Sequence, residues 1–71
     1  MDKRKDNFKR LAERRTNEVL RRVKILGNCS NRSSYDYSEE EVNKIFAEIE
    51  KKIREVKGKF TFPNRDRAFK L

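Results

Sequence analysis

The sequence has no histidine and only one cysteine, and these shortages exclude several kinds of site. With Cys29 as the single thiol, no intramolecular disulfide can form. A zinc site of the usual ligand set is also excluded, and Cys29 has no imidazole base to activate it as a nucleophile. Glycine-rich phosphate loops, acidic metal-binding loops and serine elbows are missing too. We therefore expect a protein that is not an enzyme and that carries no cofactor and no metal.

Long apolar segments are also missing. No hydrophobic run is long enough for a membrane span or a signal peptide, so we expect a cytoplasmic protein without a membrane partner. Hydrophobic residues make up only 34% of the 71 residues, and charged residues make up 45%. A single domain of this size has a thin core, which a second copy or another partner would help to complete.

Positive charge is what the sequence has in excess: 20 Lys and Arg against 12 Asp and Glu, a net charge of +8. Residues 1–26 carry ten basic and four acidic side chains (+6), and residues 58–71 carry four and one (+3). Residues 38–57 carry five and six (−1). Basic ends are typical of proteins with a polyanionic partner, most often DNA or RNA. The alternative is a basic surface that serves only solubility.

Two segments have the apolar period of an amphipathic helix. The first covers residues 4–26 and is predicted to stop at Gly27, a residue that tolerates left-handed backbone angles. The second covers residues 39–57 and ends at Gly58. Their apolar stripes consist of Phe8, Leu11, Ala12, Val19, Val23 and Leu26 in the first helix, and of Val42, Ile45, Phe46, Ile49, Ile53 and Val56 in the second.

The start of the second helix carries the clearest local signal. Ser38 at the N-cap and Glu41 three residues later form a capping box, and Tyr37 with Val42 forms a hydrophobic staple. Before it, residues 28–37 are predicted to form a polar loop in which Cys29 is buried or half-buried.

The predicted fold is all-α: an antiparallel two-helix hairpin over residues 1–58, which can dimerise into a four-helix bundle. Residues 59–71 form a basic aromatic tail, in which Pro63 blocks a continuous helix. The phenylalanines of the tail either fold back on the hairpin or form a hook for a partner.

Basic side chains on the face opposite the first stripe are the candidate nucleic-acid contacts. Cations along one line of a helix can follow a phosphate backbone and give affinity without sequence information. The candidates are Lys3, Arg4, Arg10, Arg14, Asn17, Arg21, Lys24 and, in the loop, Arg32. A solvated charged face without a partner is the alternative.

Arg15 and Arg22 lie inside or beside the apolar sector of the first helix. In one interpretation their stems cover the core edge while the guanidinium groups pair with Glu48 or Glu55. In the other they clamp a phosphate or carboxylate group of a partner. The candidate partner contacts are Arg15, Arg22, Phe62, Phe69 and Leu71.

The stretch from Arg22 to Phe46 resembles small basic helical proteins encoded on plasmids, phages and integrative elements of low-GC Gram-positive bacteria. The features that carry the resemblance are Leu26-Gly27-Asn28, Ser30-Asn31-Arg32, Tyr35, Tyr37 and Ser38-Glu39-Glu40, together with residues 8–17 and Phe69-Lys70-Leu71. That group has no established activity, so the resemblance implies a mobile-element setting and no site residues. We predict a non-enzymatic nucleic-acid-binding accessory protein. The alternative is a protein-binding module, an inhibitor or adaptor, that docks on a larger nucleoprotein complex.

Overall fold

The computed structural model describes residues 3–62, and every regular element among them is helical. Helix α1 spans Lys3–Gly27, a short 3₁₀ helix spans Asn28–Ser30, and helix α2 spans Glu39–Lys57. The all-α class is therefore confirmed for this part of the chain. The chain divides into two units after Asp36, with α1 in the first unit and α2 in the second.

Helix α1 ends at Gly27, as the sequence predicts. Gly27 has φ −60° and ψ −23°, which are ordinary right-handed angles. The chain then tightens into the 3₁₀ helix and leaves helical geometry at Asn31, with φ −71° and ψ 106°. The helix thus ends at Gly27 without the left-handed angles that glycine tolerates.

Asn31 organises the segment that follows. Its carbonyl oxygen accepts hydrogen bonds from the N–H groups of Ser34 at 3.0 Å and Tyr35 at 2.9 Å. Its side-chain Oδ1 accepts a third from the N–H of Ser33 at 3.0 Å. Asparagine commonly stabilises turns in this way. Cys29 is exposed, as is every residue from 28 to 36, so the prediction that it is buried or half-buried is wrong.

The predicted start of α2 is confirmed. The N–H of Glu41 donates to Ser38 Oγ at 3.0 Å, and the N–H of Ser38 donates to Glu41 Oε1 at 2.9 Å. These reciprocal bonds form the capping box. Tyr37 and Val42, the proposed staple residues, are both half-buried.

Beyond Lys57 the chain continues for a further tight turn. Gly58 is again right-handed, with φ −67° and ψ −12°. The N–H of Lys59 donates to the carbonyl of Val56 at 3.0 Å, and the N–H of Phe60 donates to that of Lys57 at 3.2 Å. These bonds, each spanning three residues, form a turn that follows the end of α2 at Lys57.

No side chain among residues 3–62 is buried. Phe8 is 59% exposed in α1 and Ile53 is 54% exposed in α2, so both apolar stripes lie at the surface of their own unit. Antiparallel pairing of the helices and dimerisation therefore stay predictions. Of the tail residues named above, Phe62 is 63% exposed, whereas Phe69 and Leu71 lie outside the described residues.

Candidate nucleic-acid interface

A row of cations runs along one side of α1. Because α1 is an unbroken helix of 25 residues, steps of seven, four and seven residues place Lys3, Arg10, Arg14 and Arg21 close to one line. At 1.5 Å per residue the line extends for about 27 Å. All four residues are exposed. We call these four residues the basic row.

Two further candidates widen the basic row on one side. Asn17 follows Arg14 by three residues, and Lys24 follows Arg21 by three, so each lies one turn further along and slightly to the side. Asp6 and Glu13 border the same side and reduce its positive charge. The most basic strip of α1 is therefore the basic row itself.

Arg4 does not lie on the basic row, with which it was grouped as a candidate nucleic-acid contact, but on a second row. It lies 18 residues before Arg22, which is five full turns, and so it shares the angular position of that residue. Arg15 lies on this second row as well, seven residues before Arg22. The second row borders the apolar stripe, and Arg4 is better grouped with the candidate partner contacts.

Glu18 connects the two rows through ion pairs. Its carboxylate accepts hydrogen bonds from Arg21 Nη2 at 2.6 Å and Nε at 3.3 Å, and from Arg22 Nε at 3.0 Å. The bonds from Arg21, followed by those from Arg22, hold the pKa of the Glu18 carboxyl below its usual value. The side chains of Arg21 and Glu18 are 55% and 50% exposed, so solvent screens the pair.

The observed partner of Arg22 differs from the predicted partners, Glu48 and Glu55. Arg22 pairs with Glu18 in its own helix, and Glu55 pairs with Lys52 in α2 at 3.1 Å. Spacings of three and four residues bring such side chains together on a helix surface. Glu18 was not among the residues expected to matter, although a glutamate three and four residues before two arginines is a visible signal of such pairs.

Arg32 stands apart from the row on α1. Its Nη1 lies 3.6 Å from Asp36 Oδ1, and its side chain is 63% exposed. The ion pair lies in the turn organised by Asn31, and the carboxylate offsets part of the positive charge of Arg32. A phosphate contact at Arg32 would have to compete with Asp36.

Within residues 3–62 there is no group of three His, Cys, Asp or Glu side chains that could hold a metal ion. None of the helices in this range is both long and apolar enough to cross a membrane. Comparisons with protein-family models, with curated proteins and with solved structures found no match to this chain.

Proposed function

We propose that the protein is a non-enzymatic accessory protein that binds nucleic acid through the basic row of α1. The observation that carries this proposal is the alignment of four exposed cations along one side of an unbroken helix. Phosphates repeat regularly along a nucleic-acid strand, and cations in a line can neutralise several of them and release their counterions. The excess of positive charge over residues 1–26 also favours binding to a polyanion such as nucleic acid.

The proposed binding is largely independent of base sequence. Arginine and lysine contacts with phosphates position a protein without reading bases. Asn17 is the side chain beside the basic row that has both a donor and an acceptor for a base edge. One amide supplies little discrimination, so DNA and RNA of any sequence are the proposed ligands.

The finer parts of the fold belong to the same proposal. The apolar stripes of α1 and α2 are exposed to water, which is unfavourable in free energy. Packing of the two stripes against each other would remove both from solvent. We propose that the helices pair as an antiparallel hairpin and that a second copy completes a four-helix bundle. We also propose a cytoplasmic location, and the resemblance described above adds a mobile-element setting.

A second candidate function is docking on a protein partner within a nucleoprotein complex. Phe60 and Phe62 favour it, because they are 53% and 63% exposed and phenylalanine is enriched in protein interfaces. Arg15 and Arg22 flank the stripe of α1 and would supply polar contacts. Affinity purification with and without nuclease separates the two functions, since a partner that survives nuclease treatment favours protein docking.

The direct test of nucleic-acid binding replaces Arg10, Arg14 and Arg21 with glutamine. Binding to labelled DNA duplexes and RNA strands of several sequences is measured over a range of salt concentrations. We expect affinity to fall alike for every sequence, and the salt slope to flatten by about one unit per lost contact. The matched control replaces Lys44, Lys51 and Arg54 of α2 with glutamine, which removes the same charge.

The control distinguishes binding through a specific contact surface on α1 from binding that depends only on the net charge of the chain. If the α1 variant loses more affinity and more salt slope than the α2 variant, the basic row is the contact surface. Equal losses in the two variants would contradict the assignment to α1. No binding by the wild-type chain would remove the proposed function altogether.

A further inference from the structure

The apolar residues of α2 follow an alternating spacing of four and three residues. The series is Val42, Phe46, Ile49, Ile53, Val56 and Phe60. Such a spacing repeats every seven residues and is typical of the seam of a coiled coil. No polar residue interrupts the series, and Phe60 continues its spacing along the sequence, three residues past the end of α2 at Lys57. We call these six residues the α2 seam.

The α2 seam is open to solvent within its own unit. Phe46 is 40% exposed, Ile53 54% and Phe60 53%, and none of the six side chains is buried. A continuous apolar row of this length is unfavourable in water and commonly marks a contact surface.

Helix α1 has a shorter series of the same spacing. The series runs through Ala12, Thr16, Val19, Val23 and Leu26, and its continuation toward the start of the helix falls on Lys9 and Lys5. Thr16 and the two lysines therefore occupy positions where a coiled-coil seam needs apolar side chains. A second α2 helix matches the α2 seam over its whole length without such an interruption.

The charges of α2 favour one orientation of that second helix. Residues 39–48 carry four acidic side chains and one basic, a balance of −3, and residues 49–59 carry five basic and two acidic, a balance of +3. An antiparallel arrangement brings opposite charges together at both ends, whereas a parallel one brings like charges together. The helix dipoles also favour the antiparallel arrangement, because it places opposite partial charges side by side.

We propose that two copies of this chain associate through antiparallel pairing of their α2 seams. With Ile49 opposite Ile53 of the second copy, Phe46 lies opposite Val56 and Val42 opposite Phe60, so every seam residue has an apolar counterpart. The two-fold axis of this dimer passes close to Lys51. Next to the axis, Glu50 of one copy lies near Glu50 of the other, and Lys52 lies near Lys52. Repulsion between these like charges makes the association weaker than that of a fully complementary seam. This pairing defines the contact between the two copies of the four-helix bundle proposed above and rests on that proposal, but it does not depend on nucleic-acid binding.

The first experiment measures self-association of the full chain by sedimentation equilibrium over micromolar concentrations. Ile53→Gln, inside the seam, should raise the dimer dissociation constant by a factor of about ten or more. Ile45→Gln is the matched control, because it makes the same substitution on α2 outside the seam. We expect a clearly smaller effect there. Equal effects, or a wild-type chain that stays monomeric at every concentration, would overturn the proposal.

The second experiment determines the orientation in a Cys29→Ser background, with a short bis-maleimide as cross-linker. A mixture of Val42→Cys and Phe60→Cys chains should form a covalent heterodimer, because antiparallel seams bring positions 42 and 60 together. Val42→Cys alone should not cross-link to itself. Efficient self-linking at position 42 without linking in the mixture would show parallel pairing and overturn the proposed arrangement.

Discussion

Glu18 holds Arg21 through two hydrogen bonds, from Nη2 at 2.6 Å and from Nε at 3.3 Å. Arg21 is one of the four cations of the basic row. Its guanidinium group is therefore partly neutralised by a carboxylate one turn away on the same helix. A phosphate that binds Arg21 has to share the guanidinium with Glu18 or displace it.

We expect Glu18→Gln to increase the affinity of the chain for nucleic acid by a few-fold, because the substitution releases Arg21 for phosphate. Glu13→Gln is the matched control, since it removes the same charge from α1 at a position that borders the basic row. Titration of labelled duplex at one salt concentration measures both effects. An equal gain in the two variants would mean that only net charge matters and that the Glu18–Arg21 pair is irrelevant to binding.

We expect Ser38→Ala to lower the free energy of unfolding by about 1 kcal/mol, because it removes the side chain that accepts from the N–H of Glu41. Far-UV circular dichroism during urea unfolding measures this loss. Ser34→Ala serves as the control, since Ser34 donates its backbone N–H to Asn31 and alanine keeps that bond. A similar loss in both variants would argue against a special role of the capping box.

We expect Gly27→Ala to stabilise the chain by about 0.4–1 kcal/mol. Gly27 has right-handed angles, and a Cβ built on it meets no atom within 4 Å. Alanine therefore fits the folded state and reduces the conformational freedom of the unfolded chain. The same unfolding measurement tests this prediction. Destabilisation would be the result expected if Gly27 adopted the left-handed angles that glycine tolerates and alanine disfavours.

Gly58→Ala is a useful comparison for that experiment. A Cβ there lies 3.4 Å from the carbonyl oxygen of Glu55, an ordinary van der Waals distance, and the backbone is right-handed too. We expect Gly58→Ala to be tolerated, with a smaller gain than at Gly27, because position 58 caps a helix end and lies outside its interior.

Local interactions account for what the sequence alone determined. The positions of both helices follow from the apolar period, and the start of α2 follows from Ser38 and Glu41, because both signals act over three or four residues. The basic side of α1 is equally predictable, since a regular helix fixes which side chains share a face.

Three other features were decided only by the folded chain. Gly27 permits right- and left-handed angles alike, and only the backbone shows that α1 ends there with right-handed angles and passes directly into the 3₁₀ helix. Arg22 had several carboxylates as possible partners, and the helix surface supplied Glu18 at 3.0 Å. The exposure of Cys29 depends on which atoms surround the turn, and a residue pattern does not encode those neighbours. Each of these outcomes is a choice between conformations or partners that the same residues allow, so the three-dimensional arrangement had to decide it.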